Sequence, residues 1–223
     1  MTETRSPRGR TVPSRELEIR HGHPARAVIG IDEVGLAPLA GPVVACAVLM
    51  PAGDPIPGVR DSKQLSSARR ESLDREIRAA AIAIGIGAAS AREVEHYNPR
   101  GASHRAMGRA VAQLARRRGA APDFALVDGT SAAELLSLIG PHATVVRGDQ
   151  SVYAIACASI VAKVLRDRLM ALLAVRHPGY AWESNVGYPA PAHLAALDVL
   201  GVTAHHRRTY APVAARIAAQ ERD

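Results

Sequence analysis

Four acidic side chains stand where apolar segments stop or turn. Asp32 and Glu33 close the apolar run 27–31, Asp128 closes 124–127, and Asp167 lies in the long apolar stretch after Ser151, within Ala-Lys-Val-Leu-Arg-Asp. A carboxylate at the edge of a buried element is costly unless it meets a cation. Several in one place repel one another and raise each other's pKa. A hard divalent cation such as Mg2+ or Mn2+ removes that conflict, because it prefers oxygen ligands. Blander readings stand beside this one. An Asp before Gly, as at Asp128, is ordinary turn chemistry, and Asp167 between Arg166 and Arg168 reads as a solvated helix charge. Spacing alone does not bring the four together.

The elements that must position these acids alternate between short strands and helices. Residues 27–32 and 42–50 read as strands, too short and too β-branched for helices. A Pro- and Gly-rich loop follows over 51–66. The pattern then predicts a helix to residue 80 with a Ser N-cap, a strand over 81–90, and a short helix over 90–98. A longer helix ended by Gly119, a strand over 123–129, a helix over 130–140 and a strand over 143–149 come next. A long helix occupies 151–177, and the remainder gives an irregular loop and two helices. Alternation of this kind is the α/β class. Short connections between the first strands add an antiparallel part, so the sheet is mixed.

Composition sets the bounds. The 223 residues suffice for one domain with a sizeable core. Aromatic residues are only 3% of the chain, so Ala, Val, Leu and Ile must build that core. No apolar run is long enough for a bilayer. The first 26 residues are rich in Arg, Pro and Ser and read as a flexible basic arm, without the apolar segment of a secretory signal. Residues 27–223 then form the one folded domain. Cys46 and Cys157 sit in apolar runs and read as core residues of a reducing compartment, which places the protein in the cytoplasm. The formal net charge of +7 suits a polyanion partner such as nucleic acid.

The chain also carries a series of motifs in order. They are Asp-Glu-Val-Gly-Leu-Ala-Pro-Leu-Ala-Gly-Pro-Val-Val-Ala-Cys from Asp32, Asp61-Ser62-Lys63-Gln64-Leu65-Ser66, and the Asn98 to Met107 segment. Val127-Asp128-Gly129, the Gly148 to Asp167 segment, Gly187-Tyr188 through His193, and His206 to Val213 complete the series. Together they resemble the ribonuclease HII family, the type 2 ribonucleases H, from about Ala27 to Val213. The resemblance implies a ribonuclease H-like fold: a five-stranded mixed sheet flanked by helices, with a helical C-terminal extension. It implies that Asp32, Glu33, Asp128 and Asp167 converge as catalytic metal ligands for two ions, Mg2+ or Mn2+. It implies hydrolysis of the RNA strand of RNA–DNA hybrids, or cutting 5′ to a ribonucleotide embedded in duplex DNA, leaving 3′-hydroxyl and 5′-phosphate ends. The second metal is expected to bind fully only with the substrate. Ribonucleotide excision repair and DNA replication are the processes such chemistry serves. A monomer with no membrane partner is expected. The alternative is a hybrid-binding homologue with weak or no turnover.

Substrate contacts carried by the resemblance fall on Gly35, Leu36, Ala37, Ser62, Lys63, Asn98, Lys163 and Tyr188. Tyr188 and the segment at 35–37 are where the family reads the 2′-hydroxyl that distinguishes RNA from DNA. Here the chain departs from the pattern: Gly35-Leu36-Ala37 replaces the family's Gly-Arg-Gly. Leu36 cannot supply a guanidinium to a phosphate. The expectation is a metal-competent nuclease with altered preference for the single-ribonucleotide junction. Lys163 lies one helical turn before Asp167 and shares its face. His206 and Arg207 are expected to order the C-terminal segment. A zinc site at His193, His205 and His206 is disfavoured, because no further ligand has the spacing.

Overall fold

The structure, a computed structural model, describes residues 12–130 and 134–220. One mixed sheet carries five strands: β1 (Val28–Val34), β2 (Val43–Leu49), β3 (Ala83–Ala89), β4 (Phe124–Asp128) and β5 (His142–Val145). Their order is β3-β2-β1-β4-β5. β1, β2 and β3 pair antiparallel, and β1, β4 and β5 pair parallel. The α/β class and the mixed five-stranded sheet expected from the sequence are therefore present. The helices among the described residues are α1 (Glu16–Arg20), α2 (Ser67–Ala80), α3 (Ala91–Arg118), α4 (Leu135–Ile139), α5 (Gly148–Ser151), α6 (Tyr153–Arg176), α7 (Trp182–Asn185), α8 (Pro191–Leu200) and α9 (Ala211–Gln220).

The caps read from sequence hold. Ser66 accepts from the Arg69 amide at the start of α2, and Gly119 ends α3 in a left-handed conformation. The two helices expected over 90–119 are the two halves of α3, separated at Asn98, whose φ of +59° is non-helical and which precedes Pro99. One boundary differs with consequence. β5 stops at Val145, and Gly148-Asp149, expected at a strand end, opens α5.

Small residues set how closely the layers approach. α3 lies on one face of the sheet and α6 on the other. A methyl group at Gly85 would collide with the Ala110 carbonyl of α3, and one at Gly30 with the Ala154 carbonyl of α6. The scarcity of aromatic residues follows: backbone meets backbone where a larger protein core would interpose side chains. Gly30→Ala is expected to cost about 3 kcal/mol or more, since neither backbone can give way. Urea denaturation checks it. Cys46 on β2 and Cys157 on α6 are free, buried thiols in the core between the sheet and α6.

The expectation of a flexible arm over 1–26 fails for residues 12–26, while 1–11 lie outside the described residues. Ser14 bridges to Val152, and the Glu18 carboxylate accepts from the Ala154 amide at 2.5 Å. The reason lies at the other end of that bond. α6 has no side-chain cap of its own, and its first amides need acceptors. A carboxylate at a helix N-terminus supplies one with favourable charge. Composition reports none of this, because the contacts that hold the segment are made with residues far along the chain.

The C-terminal part packs around Trp182 and two buried histidines. Trp182 Nε1 donates to His193 Nε2 at 3.0 Å, and His206 Nε2 lies 3.0 Å from the same nitrogen. His206 Nδ1 accepts from the Thr203 amide, and His193 Nδ1 faces the Tyr188 carbonyl at 2.8 Å. Both rings are neutral in that pattern. Burial first, then the neighbouring imidazole of His193, pushes His206 from 6.5 down to about 4. The unfolded chain protonates near 6.5 and the folded one near 4. Stability is therefore full above pH 6.5 and falls as pH drops towards 4, by about 3 kcal/mol. His206→Gln should flatten that part of the stability–pH curve; an unchanged slope contradicts the assignment.

Candidate active site

The sheet delivers its acids to one end. β1 and β4 are parallel neighbours, so Asp32 and Glu33 at the end of β1 lie at the same end of the sheet as Asp128 at the end of β4. Asp32 is buried at 5% exposure, beneath α6. Its Oδ1 accepts from the Glu33 amide at 2.7 Å. Burial, then the charges of Glu33, Asp128 and Asp149, hold the Asp32 carboxyl well above the usual carboxylate range, although Ser159 donates to it. Glu33 is only partly buried by surface area yet lies deep among protein atoms. Burial, then Asp128, pushes its carboxyl up to about 7.

The fourth acid in this cluster is Asp149. The Asp128 Oδ1 accepts from the Gly148 amide at 2.6 Å, which ties the start of α5 to the end of β4. Asp149, the next residue, is buried at 3% exposure. Burial raises its pKa, and Asp128 and Asp61 add to the rise against Lys63.

Asp167, expected as the fourth ligand, stands elsewhere. Its carboxylate pairs with Lys163 Nζ at 2.6 Å and with Arg70 at 3.7 Å. The acids acting on Asp32 are Glu33, Asp128 and Asp149, not Asp167. The cause is the path of α6. Ala154 crosses β1 at Gly30 and Ser159 reaches Asp32. Asp167 is eight residues further on, roughly 12 Å along the helix. Asp149 had the same signal as the others, an acid just past an apolar strand beside a glycine, and β5 runs parallel to β4.

A short 3₁₀ turn, Ser62–Gln64, covers the cluster. Asp61 caps it by accepting from the Lys63 amide at 2.9 Å, and Gln150 of α5 reaches Asp61 at 3.3 Å. Ser62 Oγ is buried 3.0 Å from Ser159 Oγ. The exposed Lys63 therefore projects towards the acids, with Nζ 3.3 Å from Asp149. Burial would lower its pKa, but Asp149, Asp61 and Asp32 together raise it.

These residues suit a hard divalent cation. The donors are all carboxylate oxygens. Glu33 Oε2 is buried with no hydrogen-bond partner, and a buried unpaired carboxylate oxygen calls for a cation. As the side chains stand, no three His, Cys, Asp or Glu groups among the described residues close around a common ion.

The expected substrate contacts fall into two groups. Gly35, with φ +99°, turns the chain out of β1. The Leu36 side chain packs inward with Tyr210 against the sheet core, and Ala37 is exposed. Tyr188 is 42% exposed and close enough to bear on the charge of Arg166 and Arg207. Lys163 is occupied by Asp167. Asn98 stands apart, at the α3 kink, where its side chain accepts from the Gly101 amide. It lines a cavity of about 320 Å³ with Tyr97, Arg100 and Arg105.

Comparisons with known proteins bear on the family and the fold. The family model for Ribonuclease HII matches residues 29–213. A Ribonuclease HII of Paracoccus denitrificans is 50% identical over 198 residues, covering 89% of this chain and 90% of the relative. One of Ruegeria pomeroyi is 48% identical over 209 residues, 92% and 86% of the two chains. Among solved structures, the ribonuclease H2 of Pyrococcus horikoshii superposes with a TM-score of 0.73 at 23% identity, covering 88% of this chain and 99% of that one. Bst-RNase HIII in complex with Mn2+ gives 0.67 at 18% identity, covering 91% and 73%. At these identities the structures show the shared fold. No helix among the described residues is long and apolar enough to cross a membrane.

Proposed function

The chain belongs to the ribonuclease HII family and is an endoribonuclease, and from that premise we propose that it hydrolyses the RNA strand of RNA–DNA hybrids by two-metal-ion catalysis. Cutting 5′ to ribonucleotides embedded in duplex DNA belongs to the same proposal, with 3′-hydroxyl and 5′-phosphate ends. The observation that carries it is that Glu33, Asp128 and Asp149 all act on the buried Asp32, while Glu33 Oε2 is buried without a partner. These four would hold Mg2+ or Mn2+; a relative of the same fold was solved with Mn2+. Asp149 takes the place that the sequence had given to Asp167.

Bound divalent metal supplies a water of lowered pKa and charge to offset the phosphate. The chain supplies position. Strand ends hold Asp32, Glu33 and Asp128 rigidly, and the Asp128–Gly148 bond fixes Asp149 beside them. Lys63, on its clamped turn, is placed to meet a phosphate oxygen of the duplex. Water attacks phosphorus, the bond to the 3′-oxygen breaks, and that oxygen leaves as the hydroxyl.

The 35–37 loop offers backbone rather than a cationic side chain, because Leu36 packs inward. A missing charge-assisted bond weakens duplex binding by roughly 1.5–3 kcal/mol. We expect a run of RNA to be cut in preference to a lone embedded ribonucleotide. The test uses three labelled duplexes with Mg2+ or Mn2+: one lone ribonucleotide in DNA, an RNA run in DNA, and all DNA. Cleavage of the RNA run but not of the all-DNA duplex supports the proposal. Failure to cut either ribonucleotide-containing duplex refutes it, and equal rates on the two refute the altered preference.

A further inference from the structure

Two arginines beneath the 35–42 loop have no carboxylate among the described residues. Arg166 and Arg207 are both wholly buried, and burial together with Arg207's charge lowers Arg166 to about 10. Their donors go to carbonyl oxygens instead. Arg207 Nη2 donates to Gly35 O at 2.5 Å and to Gly41 O at 2.9 Å, and Nη1 donates to Leu36 O at 2.7 Å. Arg166 donates to Pro42 O, Ala40 O and Val186 O at 3.0–3.1 Å. The Tyr210 hydroxyl donates to Leu36 O at 2.5 Å and accepts from Arg207 Nη1.

The consequence follows from peptide planarity. In a trans peptide the carbonyl of one residue and the amide of the next point in opposite directions. Holding the Gly35 and Leu36 carbonyls inward turns the Leu36 and Ala37 amides outward. Neither amide has a partner among the described residues. They form a donor pair on the loop that leaves β1 just after Asp32 and Glu33. Arg166 also binds Val186, two residues before Tyr188, and the Leu39 amide donates to Gly187 O at 2.7 Å. One guanidinium pair thus fixes the loop and the Tyr188 turn against each other. A lysine could not do this, because it lacks the planar fork of donors.

We propose that Arg166 and Arg207 are positioning residues that aim the Leu36 and Ala37 amides and Tyr188 at the ribose 2′-hydroxyl, and so set the preference for ribose over deoxyribose. Neither touches the substrate. The inference rests on the proposed reading of the loop as a ribose reader.

The test measures binding of the full-length protein, by fluorescence anisotropy in Ca2+, to two duplexes. One is an RNA-run hybrid; the other carries a single 2′-deoxynucleotide at the cut position. Wild type should bind the first more tightly. Tyr210→Phe, which removes one hydroxyl, should lower that ratio about threefold or more, and Arg207→Lys further, with affinity for the deoxy duplex unchanged. A purely structural role would shift both affinities together. If wild type shows no preference, the ribose-reading loop fails and the proposal with it. If wild type prefers ribose and the folded variants keep its ratio, the positioning role alone is overturned. Should Arg207→Lys not fold, Tyr210→Phe decides.

Discussion

Asp149→Asn should abolish hydrolysis of an RNA–DNA hybrid, lowering kcat on the order of 10³-fold, about 4 kcal/mol of transition-state stabilisation. Asp167→Asn should leave kcat within about tenfold of wild type, because a partly exposed ion pair contributes about 1 kcal/mol or less. The contrast rests on position. Asp149 acts on Asp32, with Asp128 tied to the neighbouring amide, while Asp167 pairs with Lys163 and Arg70. Asn keeps the size of the side chain and removes its charge, so folding is spared in both variants. Single-turnover cleavage with Mg2+ separates them, and circular dichroism confirms that each is folded. Equal loss in both variants would put Asp167 back in the site.

Arg166→Leu should destabilise the protein by about 3 kcal/mol or more. It strips partners from the carbonyls of Ala40, Pro42 and Val186, and each buried acceptor left unmade costs about 1–3 kcal/mol. Leu fills part of the volume but donates nothing. The same change also removes one of two like charges buried together, which offsets a part of the loss. Chemical denaturation reads the net effect. A loss under about 1 kcal/mol would mean that water reaches those carbonyls and that the pair is not a structural clamp.

Much of the fold was legible because local signals were consistent. Apolar runs bounded by turn residues marked all five strands, and Ser66 and Gly119 marked helix ends. The N-terminal segment was misread because its anchoring contacts are made far along the chain; the partner of Glu18 lies 136 residues away. Three of the four clustered acids were legible as charges ending strands. Asp149 closed the predicted strand 143–149 with the same signal and was passed over; β5 stops four residues before it, at Val145, and the acid stands on the short helix α5. Asp167 was favoured because it closes a motif, and a motif gives order along the chain without direction in space. Arg166 gave no signal, and Arg207 was read only as ordering the C-terminal segment: a buried arginine serving carbonyls looks, in sequence, like any surface cation.

The most direct measurement is Mn2+ binding to the metal-free protein by titration calorimetry, for wild type, Asp149→Asn and Asp167→Asn. Wild type and Asp167→Asn should bind Mn2+ with similar affinity and gain thermal stability from it, because the ion relieves repulsion among the four clustered acids. Asp149→Asn should lose at least about tenfold in affinity. Mn2+ binding that survives Asp149→Asn and disappears with Asp167→Asn would contradict the account.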